Sequence, residues 1–398
     1  MLSYIDIFAG CGGLSLGMHN AGWNSLFAIE KNADAFNTFK HNLIDKSENI
    51  SWASWLPVSN HDINDIISLY SPNLQELSGK ISLVAGGPPC QGFSMAGQRD
   101  KNDVRNKLVE SYIQFVQIIM PELVFFENVQ GITIGFIDDN KNKAIPSSTR
   151  IIEKLKTLGY QVSFKVIDMF DYGVPQRRKR FILVGSLTKN PEYFFRQLEL
   201  GRNGFLTQKG LPLNSTVADA IGDLLAKNCQ VNCPDSNGFK SGTYGEVQSA
   251  YQKYLRTGTE CICSPDSHRF AKHKETTISL YRQMLEKCEK GKRLSPKSTN
   301  LKDFKKRGIT ILNENMPCNT ITSHPDDYLH FSEPRIMTVR ECARIQSFPD
   351  TFEFKGKYTT GGVLRKIDVP RHTQVGNAIP PLFAEQAGLA LKELLYNA

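Results

Sequence analysis

The stretch Asp6-Ile7-Phe8-Ala9-Gly10-Cys11-Gly12-Gly13 decides the fold of this chain. The apolar run from Tyr4 to Phe8 predicts a strand, and the periodic pattern that starts at about Leu14 predicts a helix. Glycines between the two elements let the backbone turn tightly, and the start of the helix presents unpaired N–H groups to an anion. The stretch therefore predicts a strand, a glycine-rich turn and a helix, with a ligand at the turn.

A carboxylate follows this turn at a distance typical of nucleoside-binding sheets. Glu30 ends a second predicted strand, Ser25 to Glu30, and lies 20 residues after Gly10. In such sheets an acidic residue at this distance accepts hydrogen bonds from ribose hydroxyls. Ser15 occupies the third position of a dinucleotide fingerprint, where glycine or alanine is required, so the pattern favours an adenosine ligand such as S-adenosylmethionine over a dinucleotide. On these residues alone, a purely structural turn with a solvated Glu30 fits equally well.

Further apolar runs alternate with helical patterns through the first half of the chain. Continuous apolar strands of this kind indicate a sheet that helices cover on both faces. The predicted fold class is α/β, with a doubly wound, mostly parallel sheet. The additional strands are Ile81 to Ala85, Leu123 to Phe126, Val162 to Ile167 and Phe181 to Val184, and the helices between them include those through Ala35 and Phe39 and from Tyr112 to Ile119.

The regular alternation stops near residue 188. From there to about residue 330 the sequence is irregular, with Asn, Gly and Lys clusters, and we interpret residues 188–367 as a second, smaller domain. A final helix is predicted from about Pro381 through Leu394, because proline is common at the first position of a helix.

Composition and charge narrow the class of protein. The chain has 398 residues, 40% of them hydrophobic and 22% charged, which is ordinary for a globular protein. It contains no apolar run long enough to span a membrane and no basic leader of a secretory signal. Thirteen basic residues face five acidic ones between Pro265 and Arg307, so this stretch carries the whole net charge of +8. Such a stretch fits a phosphate-binding surface or an ordinary solvated helical face.

The nine cysteines are odd in number and follow no disulfide framework, which indicates a reducing, cytoplasmic location. Cys229, Cys233, Cys261 and Cys263, with His268 nearby, are the candidates for a zinc site. Their spacing is not a common zinc pattern, so we expect no metal.

Three segments bring reactive side chains to the ends of predicted strands. Gly86-Gly87-Pro88-Pro89-Cys90-Gln91-Gly92-Phe93-Ser94 follows the third strand, at the edge where ligands bind in such sheets. Phe126-Glu127-Asn128-Val129 ends the next strand, and Gln176-Arg177-Arg178-Lys179-Arg180 precedes a later one. Asp62 is a candidate for contact with an adenine amino group, although alone it fits the N-cap of a helix with Asp65 at the third position.

Together these segments resemble the cytosine-C5 DNA methyltransferases of bacterial restriction-modification systems, over nearly the full chain. The resemblance implies a catalytic domain that binds S-adenosylmethionine, residues 1–187 completed by about 368–398, and a target-recognition region at about residues 190–330. The matching stretches, in the order typical of the family, are Asp6 to Gly13, Gly87 to Ser94, Phe126 to Val129, Gln176 to Arg180, Arg340 to Asp350 and Gln374 to Pro381.

The resemblance also implies the roles of individual residues. Cys90 is the nucleophile that adds to C6 of a flipped cytosine, and Glu127 protonates ring N3. Arg178 and Arg180 hold the cytosine carbonyl and the active-site loop. The cofactor-binding residues are Phe8, Gly10, Cys11, Gly12, Gly13, Glu30, Asp62, Ile63, Pro88 and Asn377.

The implied partner is double-stranded DNA, whose target base must leave the stack to reach Cys90. We expect a monomer, with a cognate restriction endonuclease in the same system that need not bind it. One alternative is the same chemistry on tRNA, although relatives that methylate tRNA carry a shorter recognition region. Another is an inactive nucleic-acid-binding module, which would be expected to lack the cysteine or the glutamate.

Overall fold

Strands and helices follow the apolar runs of the sequence. The computed structural model describes residues 2–46, 51–89, 106–134, 146–299, 301, 304, 308–360 and 368–397. Its strands are β1 (Ser3–Ile7), β2 (Asn24–Ile29), β3 (Leu83–Gly86), β4 (Leu123–Val129), β5 (Gln161–Asp168), β6 (Gln176–Arg177), β7 (Lys179–Ser186), β8 (Gln230–Asn232), β9 (Lys240–Gly242), β10 (Arg293–Leu294), β11 (Ile309–Ile311), β12 (Cys318–Asn319) and β13 (Tyr328–Leu329). Its α-helices are α1 (Gly13–Asn20), α2 (Ala33–Phe39), α3 (Ile63–Leu69), α4 (Ser71–Glu76), α5 (Asn106–Ile119), α6 (Ser147–Thr157), α7 (Glu192–Gln208), α8 (Val217–Ile221), α9 (Ala250–Leu255), α10 (Glu275–Lys287), α11 (Val339–Ile345), α12 (Arg371–Asn377) and α13 (Pro381–Asn397).

The chain divides into two compact units. The first consists of Met1–Met169, Lys179–Asn203 and Phe383–Ala398, and the second of Phe170–Arg178 and Gly204–Leu382. None of the helices in the described ranges combines the length and the apolar character that crossing a bilayer requires.

The first unit contains a sheet whose described strands run in the order β2-β1-β3-β4-β7-β5. The pairs of β1 with β2, β1 with β3 and β3 with β4 are parallel. Every residue of β3 is buried, as are the first six of β4, which is expected for strands that helices cover on both faces. The predicted doubly wound, mostly parallel α/β sheet is confirmed.

Strand β7 departs from the parallel pattern expected for Phe181 to Val184. It runs antiparallel to both of its neighbours, β4 and β5. A parallel return within one sheet needs a crossover of a dozen or more residues, usually a helix. Residues 169–178, which join β5 to β7, hold a short 3₁₀ turn and β6 and no α-helix, so the chain returns antiparallel.

Helix α13 closes the first unit against α1. The Trp23 indole Nε1 donates to the carbonyl of Gly388 (2.9 Å), and Lys392 Nζ donates to the carbonyl of Ala21 (2.9 Å). The helices approach closely at Gly17, where an added Cβ would collide with Ala384. A side chain at Gly17 would therefore push α13 away from this unit.

The second unit has short strands and several small helices. Strand β11 pairs antiparallel with β10 and parallel with β13, and β8 pairs antiparallel with β9. An apolar cluster that includes Tyr281, Met284 and Ile309 lies under α10 and β11. The unit is irregular, as the scattered sequence pattern predicts.

Charged side chains are buried in the second unit around α11. Arg344 is fully buried and forms ion pairs with Asp223 and, at 2.6 Å, with Asp350. Arg340 is also fully buried and donates to the carbonyl of Phe352 (2.6 Å). Because a buried ion left without its partner costs several kcal/mol, these pairs fix the position of the segment from Arg340 to Asp350.

Candidate active site

The turn after β1 has two positions, Gly10 and Gly12, where the backbone or the packing favours glycine. Gly10 and Gly12 have φ angles of 58° and 97°, in the left-handed region that favours glycine. An added Cβ at Gly12 would collide with Phe39 and Leu43, whereas one at Gly10 would have no atom of the described residues within 4 Å. Phe8, which is not a glycine, also has a positive φ of 63°, a strained conformation of the kind that clusters at functional sites. Open space therefore lies beside the turn at Gly10.

Glu30 binds the backbone of the same turn. One carboxylate oxygen accepts from the N–H of Gly10 (2.9 Å) and the other from the N–H of Asn32 (2.7 Å). Burial raises the pKa of Glu30, and these two backbone hydrogen bonds oppose that rise. Glu30, the candidate hydrogen-bond acceptor for a ribose, therefore also fixes the backbone of the glycine turn.

Asp62 stands where the N-cap interpretation predicted it. It precedes α3 and accepts from the N–H of Asn64 (2.8 Å), and Asp65 lies in the first turn. Its other oxygen pairs with Lys31 Nζ at 2.8 Å. Burial alone would raise the pKa of Asp62, but the hydrogen bonds from Lys31 and Asn64 lower it. The next residue, Ile63, is buried.

The candidate adenosine residues of the first unit thus meet at the carboxyl ends of β1 and β2. The backbone N–H of His61, the residue before Asp62, donates to the carbonyl of Glu30 at 2.8 Å. This hydrogen bond holds the segment of Asp62 next to Glu30. Cys11 is buried inside the turn, and burial raises the pKa of its thiol to about 12. Cys11 therefore acts as a small packing residue within this turn.

Sequence reasoning missed a buried hydrogen bond that spans the glycine turn. Ser15 Oγ on α1 donates to Asp6 Oδ2 on β1 at 2.6 Å, and both residues are 1% exposed. The other oxygen, Oδ1, is buried and has no hydrogen-bond partner within the described ranges. Burial raises the pKa of Asp6 from its ordinary 3.8 to about 7. An acidic residue inside an apolar strand was the available signal, and it explains why serine stands at the third fingerprint position.

We expect Asp6→Asn to stabilise the protein relative to wild type at neutral and higher pH. The pKa of Asp6 is higher in the folded state than in the unfolded state, so the stability that the neutral carboxyl provides is complete below about pH 4. That stability is lost as the pH rises through about 7, by an amount on the order of a few kcal/mol. Asparagine does not ionise, so the advantage of the variant should grow over this range in urea unfolding at a series of pH values. Asp171→Asn, at an exposed position, is the control, and a pH-independent difference for Asp6→Asn would contradict the prediction.

A carboxylate and a guanidinium pair at the carboxyl end of β4. Arg180 Nε on β7 lies 2.9 Å from Glu127 Oε1, with the two side chains 11% and 10% exposed. The pair forms because β4 and β7 are antiparallel neighbours, in which Arg180 lies opposite Val129. Burial lowers the pKa of Arg180, and the charge of Glu127 opposes that effect. Glu127 is therefore held beside a cation in a nearly dry site.

The loop after β3 lies against this pair. An added Cβ at Gly87 would come within 2.8 Å of Glu127 Oε2, so only glycine allows this approach. Asn128 Nδ2 donates to the carbonyl of the buried Pro88 (3.0 Å). Both contacts fix the chain just before Cys90, and Cys90 itself lies outside the described residues.

The remaining candidates, Arg178 and Asn377, belong to the second unit. The Arg178 guanidinium is buried and donates to the carbonyls of Ile321 (3.3 Å), Gly376 (3.0 Å) and Ala378 (3.0 Å). Asn377, the last residue of α12, is exposed between two of these carbonyls. Within its unit, Arg178 therefore fastens the turn that carries Asn377.

The fold of this chain is shared by solved structures of methyltransferases. A solved structure described as a DNA modification methyltransferase encoded within a prophage of E. coli is similar over 99% of both chains, with a TM-score of 0.68 and 23% identity. The S. pombe Dnmt2 methyltransferase is similar over 100% of this chain and 99% of its own, with a TM-score of 0.55 and 14% identity. At these identities the likeness establishes the fold.

The chain belongs to the family described as C-5 cytosine-specific DNA methylase, which matches residues 2–393. The type II methyltransferase M.DdeI of Desulfomicrobium norvegicum is 31% identical to it over 96% of this chain and 87% of the relative. The type II methyltransferase M1.HphI of Haemophilus parahaemolyticus is 28% identical over 100% and 88%. The protein is thus an S-adenosylmethionine-dependent methyltransferase that acts on cytosine C5 in DNA.

The residues at the glycine turn fit this cofactor. Helix α1 begins at Gly13, and no side chain of the described residues caps it, so its N-terminal end offers a partial positive charge to an anion such as a carboxylate. The space beside Gly10 would accept a ligand close to the backbone. The Glu30 carboxylate has about four lone-pair sites and accepts from the backbone N–H groups of Gly10, Lys31 and Asn32, so it can accept one more hydrogen bond from a hydroxyl. The turn therefore offers matching groups to an amino acid carboxylate and a ribose.

Proposed function

We propose that this protein flips a target cytosine out of duplex DNA and methylates it through a transient bond to Cys90, and that the methylation protects DNA in a restriction-modification system. One observation carries the proposal. The Glu127–Arg180 pair adjoins Gly87 and Pro88, the residues that lead into Cys90, at the ligand-binding edge of the sheet. The type II methyltransferases among the relatives support the biological setting.

The reaction begins with bond formation on the base, because cytosine C5 alone is a weak nucleophile. The Cys90 thiolate adds to C6 while Glu127, as the acid, transfers a proton to N3, which leaves a neutral enamine with a nucleophilic C5. S-adenosylmethionine, when bound, supplies the methyl group as an electrophile. A base then removes the C5 proton, the C5–C6 double bond re-forms, the thiolate leaves and N3 loses its added proton.

Arginine residues play two different parts in this proposal. Arg180 contacts Glu127, so it orients the acid and faces the cytosine ring. The guanidinium of Arg178 is occupied by three backbone carbonyls, so we assign it a positioning role in place of contact with the base.

The other assignments complete the proposal. The S-adenosylmethionine site comprises Phe8, Gly10, Cys11, Gly12, Gly13, Glu30, Asp62, Ile63, Pro88 and Asn377. Residues 1–187 with about 368–398 form the catalytic domain, and about 190–330, within a small domain at 188–367, form the target-recognition region. The protein works as a monomer in the cytoplasm, where its DNA substrate lies, and a cognate endonuclease belongs to the same system.

A duplex that contains 5-fluorocytosine at the methylated position tests the covalent step. Fluorine cannot leave C5 as a proton does, so we expect the protein to remain bonded to the DNA in a complex that survives denaturing electrophoresis. The complex should require S-adenosylmethionine and should not form with unsubstituted duplex. The same experiment is repeated with a tRNA that contains 5-fluorocytosine. Trapping on tRNA and not on DNA would contradict the proposal that DNA is the substrate.

A further inference from the structure

The second unit presents a small β-ribbon whose two strands expose two amides and one lysine. Strands β8 and β9 pair antiparallel, with Gln230 opposite Gly242 and Asn232 opposite Lys240. Side chains alternate along a strand, so Gln230 and Asn232 share one face, and both are exposed. Lys240 Nζ donates to Asn232 Oδ1 at 2.9 Å across this face. The face therefore carries amide groups and a cation side by side.

The ribbon is held rigidly from one edge. Residues 268–270 run beside β9: Phe270 N–H donates to the carbonyl of Lys240 (2.9 Å), and Gly242 N–H to the carbonyl of His268 (3.3 Å). Arg269 stacks on the Phe239 ring at 4.1 Å and donates to Ser236 Oγ at 3.1 Å, which fixes the turn of the ribbon. A rigid support of this kind suits direct readout, because less side-chain order must be gained on binding.

Acidic charge on the ribbon is neutralised, whereas its lysines stay exposed. Asp235 in the turn pairs with Arg371 at 2.6 Å. Lys240 is exposed, and Lys272 Nζ lies 4.8 Å from the Phe239 ring in the turn of the ribbon. Together with Lys272 and Arg371, which contact the ribbon from outside it, the surface carries net positive charge, as binding to DNA phosphates requires.

Several other cations of the basic stretch from Pro265 to Arg307 are already paired. Lys290 pairs with Glu314 (2.8 Å), and Lys292 with Glu289 (2.8 Å). Arg282 lies 3.4 Å from Glu275. The described part of the stretch is therefore a poorer phosphate surface than its charge count indicates.

Gln230 keeps unused hydrogen-bonding capacity on the exposed face of the ribbon. Within the described ranges its carboxamide makes one hydrogen bond, from Nε2 to the carbonyl of Ala226 at 3.2 Å. The residue opposite, Gly242, has no side chain, and the rings of His268 and Phe270 occupy the place where its Cβ would lie. The major groove of DNA admits a two-stranded β-ribbon, and a glutamine reads adenine there through N6 and N7.

We propose that the β8–β9 ribbon enters the major groove of the substrate DNA, with Gln230 reading an adenine and with Lys240 and Lys272 binding backbone phosphates. This inference rests on the proposed function, since it names the element that selects the methylated sequence. Phosphate contacts set the register of the protein on DNA, and base contacts set the sequence.

Gln230→Ala in the full chain tests the base contact. The substrate is a plasmid pool with randomised bases around cytosines, and methylated sites are mapped by bisulfite sequencing. We expect an A·T preference at one position of the wild-type site to disappear, and kcat/KM on the wild-type site to fall about 5- to 100-fold. Gln75→Ala, at an exposed amide of α4 in the first unit, should keep the wild-type pattern and rate.

Lys240→Ala and Lys272→Ala test the phosphate contacts. Each should weaken binding to all duplexes alike and reduce the slope of log K against log salt by about 1, whereas Lys80→Ala, at an exposed position of the first unit, should not. A Gln230→Ala protein with wild-type thermal stability and an unchanged base preference at every position would overturn the inference. A wild-type protein that methylates no DNA would instead overturn the proposed function, so the two failures are distinct.

Discussion

Cys90→Ser is expected to lose methyl transfer by several orders of magnitude and to bind S-adenosylmethionine nearly as well as the wild type. A serine hydroxyl is a far weaker nucleophile than a thiolate at neutral pH, so addition to C6 should become very slow. The cofactor-binding candidates Phe8, Gly10 and Glu30 belong to the turn after β1 and to the end of β2, so the substitution leaves them unchanged.

Two measurements separate these effects. Transfer of a labelled methyl group to duplex DNA reports the chemistry, and calorimetric titration with S-adenosylmethionine reports the cofactor site. Cys261→Ser, which alters an exposed thiol of the second unit, is the matched control and should keep wild-type activity. Substantial turnover by Cys90→Ser would remove Cys90 from the mechanism, and loss of both signals would point to misfolding, which a thermal unfolding scan detects.

Glu127→Gln is expected to lower kcat by about 10²- to 10⁴-fold, the usual contribution of a positioned general acid. The amide has the same size, which matters because Gly87 approaches Glu127 so closely that a larger group would displace the loop. Glutamine still accepts a hydrogen bond from Arg180, so the loop and the pair should stay in place. What is lost is the proton that offsets charge developing on the cytosine ring.

Single-turnover kinetics under saturating DNA measure this loss directly. The matched control is Glu122→Gln at the opposite end of β4, where the carboxylate accepts from Ser186 and Thr188. That variant should remain within a few-fold of the wild type. If Glu127→Gln raised KM for DNA and left kcat unchanged, Glu127 would be a binding residue, and proton transfer to N3 would need another source.

The sequence predicted the strands of the first unit well, because burial on both faces requires continuous apolar runs. Strand β7 shows the limit of that reasoning. The run from Phe181 to Val184 identifies a strand but not its direction, which depends on the short connection through residues 169–178. A count of the residues between the two apolar runs would have indicated the antiparallel return.

The candidate site was predictable where function depends on local spacing. Glu30 directly follows β2, as the strand pattern predicts, and the N-cap interpretation of Asp62 is confirmed. Long-range partners were not predictable in this way. The carbonyls that accept hydrogen bonds from Arg178 lie more than 140 positions further along the chain, so no local sequence pattern predicts them.

The close fit of α13 on α1 has a consequence for how the enzyme is made. A ribosome that adds roughly 5–20 residues per second needs some tens of seconds to pass from Asn203 to Phe383. During that interval the nascent sheet lacks the helix that covers Trp23 and Gly17, and apolar surface there stays open to water or to chaperones. A newly made methyltransferase should therefore gain its cofactor affinity late, after residues 383–397 have left the exit tunnel, and not when the glycine turn first emerges.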